Sequence, residues 1–169
     1  IAMKKAILEE LPIREQLLEL GDEWMPAVDV PADHPRAQEI KAVELGRGIV
    51  LKTLNELILK YGQDFKNTQF EIEAFANMVI AQQVLFSVLR RYLQLDESYL
   101  RRDVVCSVLK VSVMQNLEII VSHAKKILRH ILSESDRESK LKKLDQTLSE
   151  LNYHADVIAE QENVFQLLL

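Results

Sequence analysis

The chain has 169 residues, 48% hydrophobic and 28% charged, and a net charge of −5; this fits one domain that buries about two-thirds of its unfolded surface, not a disordered chain or a nucleic-acid binder with a basic footprint. Its single cysteine, Cys106, excludes an internal disulfide framework and points to a reducing compartment. No uninterrupted apolar run approaches the roughly 20 residues that span a bilayer, and Ile1-Ala2-Met3-Lys4-Lys5 lacks the apolar core of a signal peptide, so a soluble protein is expected.

Residues 2–20 read as helical with a break at Leu11-Pro12, because proline fits the first turn of a second short helix. The chain begins directly in this pattern, as a piece of a longer protein would. Residues 21–36 contain Pro26, Pro31 and Pro35, each of which moves its predecessor away from helical backbone, and read as a linker.

A helix is expected over 35–61, preceded by Asp33 or His34 and closed by Gly62 as a C-cap. Ile40, Val43, Arg47, Val50, Leu54, Leu57 and Tyr61 recur in steps of three and four and form its stripe. Gly46 and Gly48 interrupt it at a cost of roughly 1 kcal/mol each relative to alanine. Close approach of another helix, rather than a hinge, accounts for them.

The next helix is expected over 67–95, capped by Asn67 or Thr68, with Glu71 completing a capping box after Thr68. Ile72, Phe75, Ala76, Val79, Gln83, Phe86 and Leu93 lie along one side, and Ile80, Ala81, Val84, Leu85 and Val88 widen the apolar surface. Such a helix belongs at the centre of a bundle, with Phe75, Val79 and Phe86 buried. Asp96-Glu97-Ser98 turns the chain into a helix over 99–132, whose many valines and isoleucines form a pattern too long for a strand.

Ser133-Glu134-Ser135-Asp136 breaks and recaps the chain. Leu141, Leu144, Leu148 and Leu151 mark a narrow amphipathic helix, and 155–166 a last one. Neither glycine nor proline occurs after Gly62, which fits helices joined by polar turns. The fold class is therefore all-α: an antiparallel helical bundle with long central helices over 37–169, with 1–36 a linker bearing short helices. The terminal Phe165, Leu167, Leu168 and Leu169 leave no polar face and are expected to pack on a neighbouring surface.

Candidate chemistry is sparse. His123 and His130 share a helix face about 10.5 Å apart along the axis, too far for one metal; His34 and His154 bring no paired ligand. Cys106 has Arg102 and Lys110 one turn away, yet sits among valines as a small packing residue. Gly46-Arg47-Gly48 lies mid-helix with no preceding strand and is not a phosphate loop. Arg137, Lys140, Lys142 and Lys143 alternate with Asp136, Glu138 and Asp145, as on a solvated face, although the leucines opposite them also suit a membrane surface. Asn77, Gln82, Gln83, Gln115 and Asn116 lie in the two most apolar helices and suit a cross-helix polar network or a partner-facing role. These readings assign no catalytic, cofactor-binding or metal-ligating residue.

Lys60-Tyr61-Gly62, Gln69, Ala76-Asn77-Met78-Val79-Ile80 and Val88-Leu89-Arg90-Arg91, in that order, resemble the C-terminal extension of very-long-chain-type acyl-CoA dehydrogenases. Met3-Lys4-Lys5-Ala6 and Glu10-Leu11-Pro12 are similar to the segment joining that extension to the catalytic core, and 111–128, with Ala124-Lys125-Lys126, also fits. The chain departs from the family at Asn77, often acidic there, and Gln83, often aromatic. The resemblance implies a degenerate helical domain without catalytic residues of its own. It implies an upstream core that holds FAD and the proton-abstracting glutamate, and that oxidises a long-chain acyl-CoA to the enoyl-CoA in fatty acid β-oxidation. It further implies a homodimer and allows peripheral membrane contact, in a bacterial cytoplasm or on the mitochondrial matrix side. The alternative is a stand-alone helical protein-interaction domain.

Overall fold

A computed structural model describes residues 13–31, 33–62, 64 and 68–168. Six helices follow one another among the described residues, with no strand: α1 (Ile13–Leu20), α2 (Ala37–Tyr61), α3 (Gln69–Leu93), α4 (Arg102–Ile131), α5 (Glu134–Leu151) and α6 (Val157–Leu168). The expected all-α bundle is the fold. The expected helix before Leu11-Pro12 lies outside the described residues.

Local chemistry sets the helix ends close to where the sequence puts them. Gly62 ends α2 with φ +50°, and its N–H reaches the Ile58 carbonyl; glycine adopts that backbone without a Cβ penalty. His34 Nδ1 accepts the Arg36 N–H at 3.1 Å just ahead of α2. Ser133 caps α5 by accepting the Asp136 N–H, which satisfies an otherwise orphaned donor. Thr68 stands at the N-cap of α3, but Glu71 does not complete a capping box there. Its carboxylate is buried, accepts the Tyr61 hydroxyl at 2.9 Å and lies 3.2 Å from His130 Nε2. One acid thus joins the end of α2, the start of α3 and the end of α4.

The hub of the bundle is α4, which packs against α2, α3, α5 and α6. This corrects the expectation that the 67–95 helix is central. Leu109, Val113, Ile120, Ala124, Ile127, Leu128 and Ile131 of α4 are buried, facing Met78, Ala81, Leu85 and Leu89 of α3 and Leu45, Ile49 and Leu57 of α2. Leu144 and Leu151 of α5 are buried and Leu141 and Leu148 pack beside them, as their spacing predicts.

Both interior glycines serve close approach, with different neighbours. A Cβ on Gly46 would meet Gln82 Oε1 of α3 and Ile120 of α4, so here helices come together. A Cβ on Gly48 would overlap the Trp24 carbonyl and crowd Pro26. The neighbour of Gly48 is therefore the linker, not a helix. Trp24 itself is buried in the core, and Lys52 Nζ lies 5.6 Å over its ring and donates to the Gly21 carbonyl at 2.9 Å. The described residues of 21–36 are non-helical, as expected, yet they are pinned to the bundle.

Candidate functional site

The most distinctive feature of the surface is the outer side of α3. Its buried stripe is Glu71, Ala74, Met78, Ala81, Leu85, Leu89 and Tyr92. The stripe expected to be buried points the other way: Val79 is 43% and Phe86 49% exposed, Ile72 and Leu93 are exposed, and Phe75 is half-buried. Both stripes are apolar with helical spacing, and the one that packs contains Ala74 and Ala81, whose small side chains let α3 approach its neighbours closely. Phe70, Ile80 and Val84 on α3 and Val108 and Ile119 on α4 are further exposed apolar residues. Soluble monomers rarely expose large contiguous apolar patches, which mark docking surfaces.

The same two helices, Gln69–Leu93 and Arg102–Ile131, are long and apolar enough to cross a membrane by length and composition. Uninterrupted apolar runs do not reveal this, because isolated amides, serines and single charges such as Lys110 break the runs without much lowering the average hydropathy.

Of the amides, Gln82 makes a cross-helix bond, its Nε2 donating to the Val43 carbonyl at 3.1 Å. Asn116 donates to Ser112 within α4, and Gln83 and Gln115 are exposed. One of them thus helps fix the register between α2 and α3.

Several titratable residues are engaged in structure. Burial pushes the half-buried Cys106 thiol up despite Arg36 and Lys110 nearby, so it packs and does not present a thiolate. His123 is pushed down by burial and by Lys126. The basic run lies on a largely solvated face, as expected, with Lys142 exposed, but two of its lysines also reach across to other elements: Lys140 to Glu56 at 2.6 Å and Lys143 to Glu23 at 2.9 Å. These pairs edge a cleft of about 460 Å³ that is also lined by Trp24 and Lys52, and the acids offset its cations. Among the described residues, no group of three or more His, Cys, Asp or Glu is placed to hold a metal ion.

Sequence reasoning missed two arrangements. Trp24 lies in the stretch that reads as a linker, although a large aromatic beside prolines is itself a packing signal. Glu160 of α6 faces inward, where Ser107 donates to it at 2.5 Å and Lys110 pairs with it. No local pattern announces a partner about fifty positions away.

No protein-family model matches the chain, and no curated protein sequence matches it significantly. Among solved structures, the chain is similar to an acyl-CoA dehydrogenase complexed with FAD from Bacillus anthracis, with a TM-score of 0.80 and 20% identity over 95% of this chain. The match covers 27% of that protein's chain. At this identity the likeness establishes the fold, and this chain corresponds to about a quarter of the other's length.

Proposed function

We propose that this chain is a non-catalytic helical domain of an FAD-dependent acyl-CoA dehydrogenase, joined to an upstream core and packed on that core through the outer stripe of α3. On this reading the core carries the flavin and oxidises a long-chain acyl-CoA in fatty acid β-oxidation, and the helical domain supports the homodimer. The observation that carries the reading is the pairing of two facts. The fold matches part of an acyl-CoA dehydrogenase, and Ile72, Val79, Phe86 and Leu93 form an exposed helical stripe without a partner among the described residues. The remainder of the similar protein has no counterpart here, and a catalytic core of that kind would supply the missing surface. No cofactor-binding residue is assigned to this chain, and FAD belongs to the proposed core.

The membrane is the rival occupant, favoured by the hydropathy of α3 and α4. A stand-alone interaction domain is the rival identity. The reading frame around the codon for Met3 separates the identities: several hundred codons upstream encoding a flavoprotein core support the proposal, and a start codon at Met3 contradicts it. Flotation of the complete protein with anionic vesicles separates the occupants. The proposal expects the protein to stay in the soluble fraction while Phe86→Asp weakens the domain's contact with the core. Flotation that Phe86→Asp abolishes would assign the stripe to lipid.

A further inference from the structure

The terminal helix α6 is attached in an unusual way. It takes its packing from α4, and none of its side chains is fully buried among the described ones. Val157 and Val164 are half-buried, whereas Ile158, Phe165 and Leu167 point to solvent. The one acidic group on its inner side, Glu160, is held by Ser107 and Lys110 of α4. Attachment therefore depends on a thin apolar contact and one charged clasp.

The hinge before α6 is short and strained. Residues 152–156 separate α5 from α6. Asn152 has φ 45°, and it is the only residue other than glycine with positive φ among the described residues. L-residues pay for this left-handed backbone, and asparagine pays less than most. The next residue, Tyr153, buries its hydroxyl without a hydrogen-bond partner among the described residues, and such burial is unfavourable. No glycine or proline lies between Gly62 and the C-terminus, so nothing in the covalent chain prevents α5 and α6 from continuing as one helix. Asp156 Oδ1 accepts the Ala159 N–H at 3.0 Å and caps α6, which favours the folded-back form. The Asn152 N–H also reaches the Leu148 carbonyl, as at a left-handed helix end, so one hinge has a folded-back form held by local bonds and a straight form open to the chain.

We infer that α6 is an exchangeable arm: straightening at Asn152 swings it out, and the strip it leaves on α4, with Ser107 and Lys110, receives the α6 of a second copy of this chain. The clasp is self-complementary, since each chain carries both the arm with Glu160 and the strip with Lys110. Short strained hinges favour such swaps, which form dimers without any new contact surface. The inference stands on the hinge and the clasp and does not depend on the proposed function.

Charge reversal tests it. Lys110→Glu alone sets two acids against each other, and Glu160→Lys alone sets two lysines against each other. Mixing the two variants restores both pairs only when the arms are exchanged between chains. Light scattering is expected to give a single-chain mass for each variant alone. The mixture should give a 1:1 species of twice the 19.5 kDa chain mass. A mixture whose mass does not rise above that of the separate variants overturns the inference. A second pair of variants keeps the clasp intact. Asn152→Gly favours the folded-back hinge and Asn152→Ala the straight one, so dimerisation should be about tenfold tighter in the alanine variant. Equal dimerisation in the two would also overturn the inference.

Discussion

Gly48 of α2 lies directly beneath the Trp24 carbonyl, so the linker crosses the helix where no side chain stands. The contact joins two parts of the sequence that read as unrelated, a proline-rich connector and a helix interrupted by glycines. It lets the linker seat Trp24 in the core.

Replacing Gly48 with alanine should therefore destabilise the protein. Alanine gains roughly 1 kcal/mol over glycine in helix propensity, but the new methyl meets backbone that cannot yield, and overpacking of this kind costs about 1–3 kcal/mol. At Gly46 the obstructing atom is the end of the Gln82 side chain, which can rotate away. Chemical denaturation should rank Gly48→Ala well below Gly46→Ala. The reverse order would mean that the linker does not lie across α2.

Leu85 and Phe86 are neighbours in sequence on different faces of α3: Leu85 is fully buried, and Phe86 is 49% exposed. Leu85→Ala should cost about 2–5 kcal/mol, as for buried leucines truncated in cores. Phe86→Ala should cost less than about 1 kcal/mol in this chain alone. A thermal melt of the two variants checks this. A larger loss for Phe86→Ala would place its ring in the core after all.

The clasp on α6 gives a pH dependence with a definite sign. Its hydrogen bonds to Lys110 and Ser107 hold the Glu160 carboxyl below its ordinary value. A carboxylate depressed in the folded state stabilises it above the unfolded value of about 4.3 and loses that contribution as pH falls through the lower folded value. Protection of α6 amides in hydrogen exchange should therefore fall as the pH drops below about 4. In Glu160→Gln, protection should be lower at neutral pH and lose this acid-dependent step. An unchanged profile in the variant would mean that the clasp does not hold α6.

The sequence makes the helices legible because glycine, proline and capping residues punctuate it: Gly62, Ser133 and the prolines of 21–36 mark ends that the structure confirms. The leucines of α5 and the packing role of Cys106 were legible for the same reason, since spacing and neighbours fix them locally. The facing of α3 was not. Its two apolar stripes have the same period, so periodicity alone cannot say whether Met78 and Leu85 or Val79 and Phe86 turn inward. The stripe that packs carries Ala74 and Ala81, whose small size matters only when a second helix is brought against them. The clasp of Glu160 on Lys110 and the burial of Glu71 beneath Tyr61 and His130 are likewise products of tertiary contact.

The visible absorption spectrum of the complete reading frame's product tests the identity of the parent protein directly. The protein should purify yellow with bound flavin, and the flavin band should bleach when a long-chain acyl-CoA is added without an electron acceptor. A colourless product with no response to acyl-CoA would contradict the proposal and leave this bundle as a stand-alone interaction domain.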